Sequence, residues 1–123
     1  MERERFEALV AKAIQDLPAE FQDRLENIDV VVEDWPTQRQ LTRVKLRHPA
    51  NLLGLYEGVP LTKRGRAYGG VLPDKITLFQ KPIEASCRFN REVEKEIQKV
   101  LCHEIAHHFG ITEERLRMIG NAS

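Results

Sequence analysis

Residues 93–110 read VEKEIQKVLCHEIAHHFG. Val93, Ile97, Val100, Leu101 and Ile105 recur at steps of three and four, the period of a helix with one face on a core. Asn90 can cap this helix, Glu92 and Glu94 lie near its positive end, and Gly110 stops it. Its last turns hold His103-Glu104-Ile105-Ala106-His107, the HExxH pattern. Each helical residue turns by about 100°, so His103 and His107 stand about 40° apart and one turn along the axis. Both imidazoles can therefore converge on one ion. Glu104 lies about 60° from His107 on the same side, which suits a carboxylate beside a metal-bound water rather than on the metal. Chance alone gives such a pattern in on the order of one chain in a hundred of this composition.

The same helix projection puts Glu104 and His107 in the sector of Val93, Ile97 and Val100. A carboxylate there is partly desolvated, at several kcal/mol if left unpaired, and a divalent cation held by the histidines offsets that penalty. The competing reading pairs Glu104 with an arginine such as Arg115 and leaves the histidines as ordinary packed side chains. A catalytic zinc needs a third protein ligand. No acid stands twenty or more residues beyond His107, the last acids being Glu113 and Glu114. In the alternative pattern HExxHxxGxxH, Gly110 takes the glycine position and Glu113 the position of the third ligand, where an acid can replace histidine. The expected metal ligands are thus His103, His107 and Glu113, with Glu114 as second choice and Glu104 as the catalytic base. The plain alternative for Glu113 is an acid at a helix N-terminus.

Neighbouring candidates are weaker. His108, about 140° from His103, points away from the ion and is expected buried or behind the ligands. Cys102 falls on the side of the helix away from the apolar stripe, and Met118 is expected in the core. Tyr56 and Tyr68 could donate to an oxyanion, though spacing places neither near a metal. Lys63-Arg64-Gly65-Arg66 could bind a phosphate or a substrate carboxylate, though solvated loop charge is the commoner reading.

Upstream, Phe6, Leu9, Val10, Ala13, Ile14 and Leu17 mark an amphipathic helix over 3–17. Pro18 opens a short helix with Phe21 and Leu25 inward. Ile28–Val32, Leu52–Glu57 and Lys75–Gln80 read as three strands, the last stopped by Pro82, while 35–50 is ambiguous and 59–74 is a loop. Thr112 caps a last helix over 113–118. Helices against about three strands make an α+β class in a single domain over 1–123.

With these residues in place, the chain resembles the zincin-like metallopeptidases, or minimal zincins, a family of small and mostly bacterial proteins. The resemblance runs through LLGLYEGVPLT (52–62), YGGVLPDKITLF (68–79) and HEIAHHFGITEERL (103–116), the last being the specific segment. It implies a zincin-like α+β fold and a zinc site (Zn2+), with Asp more common in the family where Glu113 stands here. By the same resemblance, the strand Lys75–Gln80 is the edge strand that holds an extended substrate.

Composition narrows the rest. The 123 residues are 41% apolar and 31% charged, with 19 basic and 19 acidic side chains. Zero net charge argues against a dedicated nucleic-acid binder using Arg39, Arg43, Lys45, Arg47, Lys63, Arg64 and Arg66. The charged start Met1-Glu2-Arg3-Glu4-Arg5 is no signal peptide, and no apolar run is long enough to span a membrane, so a cytoplasmic protein without a membrane partner is expected. Cys87 and Cys102 lack CxxC spacing and are expected as free thiols. The expected activity is zinc-dependent hydrolysis of peptide bonds in a peptide or protein substrate. The alternative is a metal-binding or protein-interaction domain without proteolysis.

Overall fold

The structure, a computed structural model, describes residues 1–58, 74–110, 114, 115 and 118. Its order is α1 (Arg3–Gln15), α2 (Ala19–Leu25), β1 (Ile28–Glu33), α3 (Gln38–Arg43), β2 (Gly54–Glu57), β3 (Asp74–Phe79), α4 (Gln80–Ala85) and α5 (Val93–Phe109). The expected α+β class is what the chain adopts. No helix among the described residues is long and apolar enough to cross a membrane.

The sheet order is β1-β3-β2, with β1 parallel and β2 antiparallel to β3. This corrects the expected placement of the third strand: β3 is central, both of its edges are paired, and it cannot receive a substrate strand. Its side chains explain why. Ile76, Thr77, Leu78 and Phe79 are all buried, so the strand is covered on both faces. Alternation sends Ile76 and Leu78 into the main core with Phe6, Phe21, Ile97, Leu101 and Ile105, and Phe79 into a smaller cluster with Leu41, Leu52 and Leu55. The helix α3 therefore lies on the face opposite α5.

Local chemistry sets the element ends. Residues 35–50, ambiguous in sequence, contain α3, closed by a capping box: Gln40 N donates to Thr37 Oγ1 at 3.1 Å and Thr37 N donates to Gln40 Oε1 at 2.8 Å. The strand ends at Phe79, ahead of Pro82 as expected, and the chain goes on as helix; Pro82 sits in the first turn of α4, where a missing N–H leaves no helical bond unmade. Buried Gln80 opens that helix, accepting from Arg3 Nε at 3.1 Å. Ahead of α5, Glu92 and not Asn90 stands at the N-cap, and its Oε1 accepts from Arg88 N at 2.8 Å and Phe89 N at 3.0 Å, closing the 3-10 turn Asn90–Glu92 rather than capping α5 itself. At the other end Gly110 adopts φ 69°, the left-handed geometry that closes the helix. Glu114, Arg115 and Met118 are helical, as expected of the last helix, while Thr112 lies outside the described residues.

Candidate metal centre on α5

The helix α5 packs against α1, α2, α4, β2 and β3, and so is gripped on several sides. Its approach to β2 depends on Gly54. A Cβ at Gly54 would stand 2.5 Å from Val100 Cγ1 and 3.6 Å from Glu104 Cγ. Only a residue without a side chain lets the helix lie this close to the strand.

That closeness delivers Glu104 to the strand's backbone. Tyr56 N donates to Glu104 Oε1 at 3.0 Å. Burial pushes the Glu104 carboxyl above the ordinary carboxylate range, and the Tyr56 hydrogen bond and the nearby His107 and His103 pull it partly back. Arg115, the partner proposed by the competing reading, instead donates to Glu20 Oε1 at 3.1 Å.

His103 and His107 stand side by side as the four-residue step requires, with ring centres 6.4 Å apart and planes inclined by 58°. His103 is half-buried and His107 exposed. Two imidazoles sharing a tetrahedral zinc have ring centres about 5 Å apart, given Zn–N distances of about 2.0–2.1 Å. Two imidazoles one helical turn apart beside a half-buried carboxyl are the kind of donors zinc takes. The two histidines thus suit two of an ion's ligand positions, with Glu104 beside them rather than on the ion. Among the described residues no group of three His, Cys, Asp or Glu could hold a metal, and Glu114 is exposed. The expected third ligand, Glu113, lies outside the described residues.

His108 departs from expectation. It is exposed rather than buried, and its ring stacks on Tyr56 with centres 3.9 Å apart and planes inclined by 15°. One turn from Glu104, it shares that residue's side of the helix, a consequence of the i, i+4 step that the comparison with His103 alone hides. The Tyr56 phenol donates to Asp74 Oδ2 at 2.7 Å, and His108 Nε2 lies 4.0 Å from the same oxygen. The hydroxyl of Tyr56 is thereby engaged with Asp74, and the part of Tyr56 that touches the motif is its backbone N–H. Asp74 carried no signal in sequence.

Two further expectations are corrected. Cys102 packs against the main core instead of lying away from it, because α5 is covered on more sides than one stripe; burial pushes its thiol up to about 11. Both Cys102 and Cys87 are free, as expected. Met118 is 65% exposed, since the i+3 and i+4 steps put it on the face of Arg115 and Glu114, both exposed. Of the basic residues, Arg43 pairs with Glu57 at 3.2 Å on the far face of the sheet. Tyr68 and the segment Lys63-Arg64-Gly65-Arg66 lie outside the described residues.

Comparison with known proteins bears on the fold and the family. A conserved hypothetical protein from Thermo thermophilus is 23% identical and superposes with a TM-score of 0.52, covering 89% of this chain and 94% of that one; at this identity the likeness concerns the fold alone. None of the curated proteins matches the chain. The model of the family described as zincin-like metallopeptidase matches residues 25–122, from the end of α2 through all three strands and α5. The chain belongs to the zincin-like metallopeptidase family.

Proposed function

We propose that this protein is a zinc-dependent peptidase in which His103, His107 and Glu113 hold the ion and Glu104 is the general base. One observation supports this reading above the others. The Glu104 carboxyl, set between the two histidines and the edge strand, is raised in proton affinity by burial and held by one backbone donor at 3.0 Å. A base with that affinity takes a proton near neutral pH more readily than an exposed carboxylate does. Zinc bound there supplies the activation of water and the polarisation of a carbonyl. Glu104 takes the proton of the attacking water on its free oxygen and returns it to the departing amine, while Tyr56 N–H holds the other oxygen. The edge strand beside α5 is β2, and its outward N–H at Tyr56 is given to Glu104 rather than left for a substrate strand.

The test combines metal analysis with turnover. Glu104→Gln is expected to keep bound zinc and lose hydrolysis of a peptide library, whereas His103→Ala, His107→Ala and Glu113→Ala each lower zinc content. Zinc retained with no turnover by the wild-type protein would instead favour a metal-binding module. Unchanged turnover in Glu104→Gln would remove the base assignment.

A further inference from the structure

Tyr56 lies between Leu55 and Glu57, which pair with Thr77 and Lys75, and its N–H is bonded to Glu104, on the side away from β3. On an edge strand such an N–H ordinarily meets water. Here it meets a carboxylate, and the residue that carries it is held at two other points. Its ring lies flat on His108 of α5, and its hydroxyl donates to Asp74 at the start of β3. Glu104 and His108 are one turn apart, so the same helix face holds the backbone of Tyr56 with one side chain and its ring with the other.

We propose that Tyr56 is the positioning residue of the general base, with His108 and Asp74 serving to hold it. The inference rests on Glu104 being that base. Glu104 has three side-chain torsions, and a donor fixed in space removes most of their freedom. His108 then acts as a flat buttress, neither metal ligand nor proton carrier. A displacement of about 1 Å at a catalytic group can cost about a hundredfold in rate, so loosening the buttress reaches the chemistry without touching the ion.

Hydrogen exchange of the Tyr56 amide, followed by NMR in the metal-free protein, reads the clamp directly. The wild-type amide is expected to exchange at least about tenfold more slowly than in Glu104→Ala. His108→Ala, a truncation at an exposed position, should speed exchange similarly and lower kcat about 10- to 100-fold at unchanged KM and zinc content. His108→Phe keeps a flat ring and should restore both. Equal exchange in wild type and Glu104→Ala would overturn the proposal, as would a His108→Ala protein with wild-type exchange and kcat. If the wild-type protein hydrolyses nothing, the peptidase reading falls, and the exchange rates still decide the clamp.

Discussion

Replacing Gly54 with alanine tests the packing on which the site depends. The added methyl would lie 2.5 Å from Val100 Cγ1, against about 3.5–4.0 Å for comfortable carbon contact, so something must move by about 1 Å. Val100 is buried and β-branched in mid-helix, so its side chain has little freedom to swing aside. The backbone at Gly54 is in ordinary strand conformation, so the alanine suffers from lack of space and not from its dihedral angles. Overpacking of this size costs about 1–3 kcal/mol, and it opens the gap between β2 and α5. An opening of about 1 Å takes the 3.0 Å bond from Tyr56 to Glu104 beyond hydrogen-bond range. Urea denaturation of Gly54→Ala, Val100→Ala and the double variant isolates the contact. Val100→Ala alone removes two buried methyl groups, about 2 kcal/mol. In the double variant the new methyl occupies the vacated space, so its loss should fall short of the sum by at least about 1 kcal/mol. Additivity within about 0.5 kcal/mol would refute the claim that Gly54 sets the helix–strand distance.

Three other outcomes are expected. Gly110→Ala meets no atom within 4 Å but must hold φ near 69°, so it should cost about 1–2 kcal/mol in the same denaturation assay while leaving the core intact. In the metal-free protein, Glu104→Gln should raise the melting temperature at neutral pH. The folded-state pKa of Glu104 is raised above its value of 4.5, so wild-type stability is fullest below that value and declines as pH rises through the folded pKa. The variant removes that decline, and equal melting curves for the two proteins at every pH from acid to neutral would contradict the buried carboxyl. Thr77 is fully buried and its Oγ1 has no hydrogen-bond partner among the described residues, so Thr77→Val should stabilise by about 1 kcal/mol by calorimetry.

Much of this protein is written in short-range order. The period of Val93, Ile97, Val100, Leu101 and Ile105 is enough to specify α5, because helical contacts run between residues three and four apart. For the same reason His103, Glu104 and His107 must share one side of it, and Gly110 must end it. The capping box Thr37-Gln38-Arg39-Gln40 was equally legible in residues 35–50, since it too needs only neighbours.

What neighbours cannot encode is which strand lies beside which. Residues 75–79 are plainly a strand, yet that β3 is central and β2 the edge follows from pairings that span tens of residues. Burial of Thr77 and Phe79 beside Ile76 and Leu78 is the local trace of that arrangement. The surroundings of Cys102, His108 and Glu104 are likewise tertiary facts, because α5 is packed on several sides and a single stripe describes only one. A sequence of this kind determines the helix and the chemical groups it carries through contacts within one or two turns. Only the folded chain brings Tyr56, His108 and Asp74 together and sets the backbone donor against the carboxylate, because those distances depend on how a helix and a sheet edge settle against each other.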